Sequence, residues 1–582
     1  MKLKNSLHRG ISLFLAALMS CAMLTGCQNE TASSSSTESA PAALQQTEEQ
    51  TAPTAAADSA VQETAAEEAA SADETQAPQT TEVTLPITAE KMELSLWLKV
   101  SNQTTSVISD PAQADAFQEL CRRTNVYIDY VLASADTAAQ DLMLMVAAGE
   151  YTDLIDSVES LYNGGADAAY SNEIIQDLTD VIDEYMPNYA AVLASNEEYY
   201  KDTINDAGQR LVVYTLFEED RPVEMGTVIR QDWLDALKMD TPVTYDDFHD
   251  VLSAFKSNYG ATLWLPSTGV PNGNYLSAGY GVANYCGSTT AQQPFYQVDG
   301  TVKYGPLEDE TLDFLTMMHQ WYTEGLIYPD FINNMAPFAT DASVIANGSV
   351  GIWYDVTGLL AMHQSVGEAA DPNFSIMPIP DAKKSEDETN HLRISNDLVD
   401  GNGICISVDC KDTEAAAKWM DYLYTDDGRT LRTWGLEGLT FEYGEDGTPH
   451  YMDLIVNNPD GLSEGQARSL YIYTGIPGIT SWKASTSGYT EAQNHSIDVW
   501  LTSDADYNYP TNVKFNDAAG ESAELGTLYS DIKTYVQTSL VQFIVGEKPL
   551  SEFDAFRQEC YDMGIEDCMK IYQDALDRYL ER

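Results

Sequence analysis

The chain has 582 residues, enough for two to four domains at roughly 150 residues each. Its 44% hydrophobic content supports a large core and excludes a wholly disordered or fibrous protein. With 91 acidic against 30 basic residues the net charge is −61, which excludes nucleic acid as a partner and disfavours docking on an anionic membrane surface, because both need basic surface.

The first residues set the compartment. Lys2, Lys4 and Arg9 precede an apolar run from Ile11 to Leu24, too short to span a bilayer but right for a secretory signal. The run ends in Leu24-Thr25-Gly26-Cys27, which resembles the bacterial lipoprotein cleavage box. That implies removal of residues 1–26 and acylation of Cys27 (a diacylglycerol and a palmitate-type chain), anchoring the protein to the outer face of the cytoplasmic membrane. No later segment is long and apolar enough to span, so the lipid is the expected membrane attachment. Residues 28–88 are Ser, Thr, Ala, Gln, Glu and Pro with eleven acids, no Lys or Arg and no aromatic residue. Such a segment cannot bury enough apolar surface to fold and is expected to be a tether of roughly 40–50 Å mean reach. The body, 89–582, keeps 27 basic and 80 acidic residues, a net −53.

In chain order, Met92 to Leu98 alternates as a strand, Asp115 to Arg123 reads as a helix, Val126 to Val131 as a second strand, Asp141 to Ala148 as a helix stopping at Gly149, and Asp153 to Asp156 as a short buried strand. This alternation argues for an α/β sheet covered by helices. Arg210 to Tyr214 and Val228 to Arg230 are further strands. Thr244 to Lys256 is a helix with a Thr244/Asp247 capping box and one apolar face; Pro306 to Glu324 and Thr413 to Tyr424 are two more. Segments 266–287 and 475–488, rich in Pro and Gly, are expected to be long surface loops, which in compact domains are usually functional. Cys21 leaves with the signal. Cys121, Cys286, Cys405, Cys410, Cys560 and Cys568 remain, with no Cys/His spacing for zinc. Six cysteines allow fifteen full pairings, and free thiols fit equally well.

Five stretches in order resemble the extracellular solute-binding lipoproteins of bacterial ABC transporters, the carbohydrate-type family in its LipO-like, aldouronate-type branch. They are Met145–Asp156 (MVAAGEYTDLID, with Thr152 where the family usually has Pro), Arg230–Leu234 with Pro242-Val243-Thr244, Gly325–Phe331 after Gly300–Gly305, the segment from Ala415 (AAKWMDYLYTDDG, WGLEGLTFEYGEDG), and the C-terminal VQFIVGEKPLSEFDAF and YQDALDRY. The resemblance implies a two-lobed α/β fold of the type II periplasmic-binding-protein kind, with a hinged ligand cleft. Lobe 1 is expected over 89–218 and 381–436, lobe 2 over 219–380 and 437–582, with a first crossing near Tyr214 to Glu219 and a second after Ile376 to Pro380. It also implies a monomer that captures a carbohydrate, an oligosaccharide by its branch, and delivers it to the permease subunits of an ABC importer. No catalysis, cofactor or metal is expected, and the chain carries no GxSxG, HExxH or P-loop.

A sugar site needs aromatic planes under C–H faces and polar groups around the rim. Trp233, Trp321 and Trp419 sit on amphipathic helices and read as core; Trp97 lies inside its strand, where core and site readings both stand. Ligands of open α/β sheets bind beyond the carboxyl ends of strands, which selects Asn102 in the loop after the first strand, Asp156 and Glu159 after the short one, and Glu218, beside Phe217, at the first crossing. The strongest candidates are Trp353, Tyr354 and Asp355, which end a strand starting at Val350 and which the resemblance carries into the cleft. Trp264, Trp434 and Trp482 complete the set. Two other readings stay open: a non-sugar solute, and a surface glycoside hydrolase, whose carboxylate pair would stand roughly 5–10 Å apart. The acidic body by itself favours neutral or cationic solutes.

Overall fold

The computed structural model describes residues 81–582 apart from 220, 272–273, 288–292, 335–341, 394–395, 474, 502–503, 512 and 517–518. The signal segment, Cys27 and most of the expected tether lie outside the described residues. The end of that tether does not behave as expected: Val83 and Ile87 pack against the body, Thr81 N donates to Asn188 Oδ1 at 2.7 Å, and Ile87 N donates to Thr124 O at 2.9 Å. The hydrophobic residues around Pro86 give residues 81–88 enough buried contact to leave the solvated state, so the predicted boundary at 88 is too late.

The chain first builds β1 (Met92–Val100), β2 (Val126–Ser134), β3 (Leu154–Asp156) and β4 (Val213–Phe217). It then passes to β5 (Met225–Arg230), β6 (Thr262–Leu263), the hairpin β7 (Phe295–Val298) and β8 (Thr301–Tyr304), β9 (Val350–Val356) and β10 (Ile376–Ile379). It returns with β11 (Val399–Ile406), the hairpin β12 (Phe441–Tyr443) and β13 (Pro449–Tyr451), and β14 (Gly478–Thr480). Two sheets result. The first has the order β14-β4-β11-β3-β1-β2, parallel except for β11; the second has the order β10-β5-β9-β6, with β5 antiparallel to both neighbours. The expected helices form as Asp115–Thr124, Ala138–Ala148, Tyr245–Tyr259 (with the Thr244/Asp247 capping box), Asp309–Thr323 and Thr413–Tyr422.

Each sheet has its own core. Leu94, Leu96, Ile155, Val213, Ile404 and Trp419 belong to the first. Both faces of the second sheet are covered. Ile229, Ile352 and Tyr354 face a core that holds Phe255, Phe314 and Phe543, while Val228 and Trp353 face a separate cluster with Trp264, Leu360 and Trp500. Gly226 has no side chain because a Cβ there would come within 2.4 Å of the Trp500 indole nitrogen, so the glycine lets that indole, from the helix Glu491–Leu501, pack directly on β5.

Three expectations about organisation are corrected. Residues 437–582 are not one unit of the second lobe: Phe441, Tyr451, Ile455, Ile472 and Ala484 are in the first core, and only later residues such as Leu525, Phe543 and Tyr572 join the second. At the second crossing Ile379 and Ala382 still belong to the second core, and the first resumes at Leu398, so 381 is too early for the return. The segments read as surface loops are structural. Gly478–Thr480 is an edge strand paired with β4, and Val270, Tyr275 and Leu276 are buried. Pro and Gly shape these turns, but their apolar residues drive them inward.

Candidate functional site

β1, β3, β4 and β14 run in the same direction, so their carboxyl ends lie along one edge of the first sheet, together with the start of antiparallel β11. A cavity of about 350 Å³ opens on that edge. Lys99 of β1, Asp156 and Ser157 at the end of β3, Phe217 of β4, Asn402 of β11 and Thr480 of β14 line it. Arg432, from the helix Asp426–Trp434, and Arg468, from the helix Glu464–Tyr471, complete the wall. Gly403 also lines it and must be glycine: a Cβ would meet Val213 O at 2.5 Å, so β11 approaches β4 only without one.

The polar groups are held in place by hydrogen bonds to one another and to the backbone. Asp156 Oδ2 accepts from Lys99 N at 3.2 Å and from Ser157 Oγ at 3.0 Å, and burial pushes its carboxyl up to about 6. Ser157 adopts φ +57, a left-handed conformation that turns the chain sharply at the strand end. Lys99 Nζ is 3.5 Å from Asn402 Oδ1, which also accepts from Ser160 Oγ at 3.0 Å. The buried Arg432 donates from Nε to Ile476 O at 2.9 Å, and desolvation lowers its pKa to about 10. Arg468 Nε is buried with no hydrogen-bond partner. Although the chain is strongly acidic, three cationic residues and two carboxylates, Asp156 and Asp400, face this space. The field here departs from the global charge that pointed to neutral or cationic solutes.

Of the residues selected from sequence, Asp156 lines the cavity. Glu218 and Trp482 adjoin lining residues: Glu218 N donates to Thr480 O at 3.3 Å and its carboxylate is 3.5 Å from Arg429, while half-buried Trp482 follows Ser481. Asn102 is exposed, with Nδ2 3.4 Å from Asp136, on a short helix that touches the Arg468 helix through Thr104 and Ser469 at 3.2 Å. The other six are set elsewhere. Glu159 accepts from Ala166 N at 2.9 Å, holding the start of the next helix, and faces a separate recess with Asp202 and Lys514. Trp264, Trp353, Tyr354 and Asp355 are corrections: each is at most 2% exposed, because β9 is covered on both faces. Trp353 Nε1 donates to Asp355 Oδ2 at 2.9 Å, and Tyr354 stacks on Tyr275 at 6.1 Å. Trp434 turns away from its neighbours Arg432 and Thr433 to pack on Tyr451 at 4.7 Å and Phe441 at 6.4 Å, under the β12–β13 hairpin. Sequence reading missed Lys99, Asn402, Arg432 and Arg468. For Lys99, Arg432 and Arg468 the one signal was the rarity of basic residues in this chain.

The model for the bacterial extracellular solute-binding protein family matches residues 112–439. The chain belongs to that family. Among curated relatives of this solute-binding protein, the fructooligosaccharide ABC transporter substrate-binding protein FusA of Streptococcus pneumoniae serotype 4 is 23% identical over 515 residues, 81% of this chain and 88% of the relative. Lipoprotein LipO of Bacillus subtilis is 24% identical over 419 residues, 67% of this chain and 76% of LipO. An HMO-binding, ABC-transporter-associated solute-binding protein of Bifidobacterium longum infantis shares the fold at TM-score 0.66 and 19% identity, over 84% of this chain and 99% of its own. The S. pneumoniae FusA structure with kestose does so at TM-score 0.59 and 19% identity, over 84% and 99%. The fold is therefore the two-lobed α/β architecture of solute-binding proteins. Membership places the chain among binding proteins rather than enzymes, and no described helix is long and apolar enough to cross a membrane.

Proposed function

We propose that this protein is a lipid-anchored, monomeric receptor on the outer face of the membrane, which captures an oligosaccharide and passes it to the permease of an ABC importer. The observation that carries the reading is the cavity at the carboxyl edge of the first sheet. It offers fixed acceptors (Asp156, Asn402), donors (Lys99, Arg468) and the Phe217 ring to a ligand that is hydroxylated at its rim and apolar on its faces. FusA is named for fructooligosaccharides and the Bifidobacterium protein for HMO, which supports a sugar as cargo. The crossings 218–224 and 381–398 would be the hinge about which the second core closes on the ligand. Cys27 would hold the assembly to the membrane.

Titration calorimetry of the mature chain with kestose, HMO and oligogalacturonates, with the sugars recovered and sized afterwards, tests this. Tight binding with intact sugar is the expected result. Cleaved sugar would move the protein to the hydrolases, and no heat with any sugar would point to another solute. A second reading, a ligand carrying a carboxylate, is favoured by Lys99, Arg432 and Arg468 in one wall. Its mark is a preference for the galacturonates that Arg468→Ala removes.

A further inference from the structure

Phe217 ends β4 and lines the first-sheet cavity. Its backbone is tied on both sides: Phe217 N donates to Leu398 O at 2.8 Å, and its carbonyl accepts from the Tyr199 hydroxyl. Its ring is held by a side chain from outside the cavity. Arg221 N donates to Glu218 O at 3.0 Å, a turn that folds the chain back on itself, and the Arg221 guanidinium lies 3.5 Å from the centre of the Phe217 ring. That guanidinium also donates from Nη1 to Asp397 O of the return crossing, beside the bond from Asn396 Nδ2 to Pro222 O. One side chain therefore braces a cavity-lining ring against the backbone that joins the two sheets.

An aromatic partner is an unusual choice in this chain. Acidic residues outnumber basic ones by 91 to 30, and most arginines, among them Arg123, Arg230, Arg393 and Arg578, are in ion pairs. Anions are also at hand for Arg221. The charges of four carboxylates bear on it: Glu198 from the helix Glu197–Asp202, Glu224 and Asp397 from the two crossings, and Asp400 from β11. Among the described residues its guanidinium nevertheless meets the Phe217 ring and a backbone carbonyl, and none of these carboxylates is within ion-pair distance. The turn at Glu218 directs it there, and a planar guanidinium is the cation best shaped to lie on a ring face.

We propose that Arg221 is a positioning residue for the cargo: from outside the cavity it fixes the Phe217 ring as the surface on which a sugar packs; this rests on the oligosaccharide reading above. A phenyl ring at a strand end turns about two side-chain bonds, and a ligand that must first immobilise it loses affinity. With the guanidinium on one face, a single orientation is kept before the ligand arrives. The ring surface left to the cavity then meets the apolar C–H face of a sugar, while Asp156 and Asn402 take its hydroxyls. Because Asp397 O holds the other side of the guanidinium, that orientation is set by the crossings and not by the cavity wall.

A double-mutant cycle on Kd separates action through the ring from any other role. The full mature chain is titrated with whichever of kestose, HMO or trigalacturonate binds the wild type most tightly, as wild type, Phe217→Leu, Arg221→Met and the double variant. Arg221→Met is expected to weaken Kd about three- to tenfold in the wild-type background. In the Phe217→Leu background, where no ring remains to be placed, it should change Kd less than twofold. Arg221→Lys, which keeps a cation over the ring, is expected to stay within about twofold of wild type; should Arg221→Met not fold, Arg221→Gln takes its place in the cycle. Equal losses in both backgrounds would mean that Arg221 acts on the crossings alone, and no loss in either that it does not act on binding; both results overturn the proposal. If Phe217→Leu binds as wild type while Arg468→Ala binds poorly, the ring is not a sugar surface and the function stands. If the wild type binds none of the three sugars, both fall.

Discussion

Asp355 Oδ2 lies 2.5 Å from His363 Nδ1, and neither side chain has exposed surface. The same oxygen accepts from Trp353 Nε1 at 2.9 Å, and Oδ1 accepts from Val356 N at 2.9 Å, so one carboxylate joins the end of β9 to the helix Thr357–Ala370 behind it. Removing one partner of such a buried pair costs about 3–5 kcal/mol, because the other is left without compensation. Asp355→Ala and His363→Ala are each expected to lower urea-unfolding stability by that amount, and the double variant by much less than the sum. Trp353→Ala should cost about 3–5 kcal/mol through its cavity, with the sugar affinity of the folded fraction unchanged. A selective loss of affinity would return Trp353 to the binding site.

Asp156 gives the protein a pH dependence. Its folded pKa of about 6 lies above the ordinary value of 3.8 because burial disfavours the ionised form. Below pH 3.8 neither state pays a penalty. Between 3.8 and 6 the unfolded chain ionises first, and above 6 the folded state carries a cost of ~3 kcal/mol. Stability of the unliganded wild type should therefore rise as pH is lowered from 7 to 5. Asp156→Asn should be more stable at pH 7 and show a flatter profile. Because the ionised carboxylate is the better acceptor, sugar affinity is expected to fall as pH drops through 6, and titrations at pH 7.5 and 5 should show this in the wild type alone.

The cysteines should be inert. Cys121, Cys286, Cys405, Cys410, Cys560 and Cys568 are free thiols, and all but Cys410 are buried. Burial raises the thiol pKa of Cys121, Cys410 and Cys568 to about 11 and of Cys286 and Cys560 to about 12. At pH 8 a thiol with pKa 11 is about one part in a thousand thiolate, and the thiolate is the reactive form. A chromogenic disulfide reagent is expected to label the native protein slowly, at Cys410 first, and to count all six in denaturant. A reductant should leave the melting temperature where it is.

Asp206 joins the two cores at the C-terminus. It receives Arg578 Nε and Arg582 Nη2, both at 2.6 Å, and Arg578 also meets Glu521 at 2.6 Å. Arg578 and Arg582 extend the helix that carries Tyr572 of the second core, whereas Asp206 follows the helix Glu197–Asp202 against the first. Charge-assisted bonds in partly buried networks contribute about 2 kcal/mol, so Asp206→Asn should lower the denaturation midpoint accordingly. The gap between wild type and variant should narrow in 1 M NaCl, where charges are screened over about 3 Å.

Much of the fold is legible along the chain because strand and helix periodicities are local. Met92–Leu98, Val126–Val131 and the capped helix after Thr244 carry their own signals, and the end of a short buried strand pointed to Asp156. The failures share a cause. Trp353-Tyr354-Asp355 at a strand end reads as a binding edge if one face is open; β9 is instead covered by a core on each face. Trp434 and Arg432 are two residues apart, yet one packs under a hairpin and the other lines the cavity, because adjacent positions on a helix point to different sides.

The sequence by itself determined the family and the α/β class, since these rest on order and spacing. Tertiary structure alone decided which residues meet in the cavity. Lys99, Asp156, Asn402, Arg432 and Arg468 come from five separate segments and converge because β1 and β3 bring their carboxyl ends, and antiparallel β11 its start, to one edge, where two helices add the arginines. Burial, which sets the Asp156 pKa and removes Trp264 and Trp353 from the site, is likewise a property of the packed sheets. No stretch of sequence carries it.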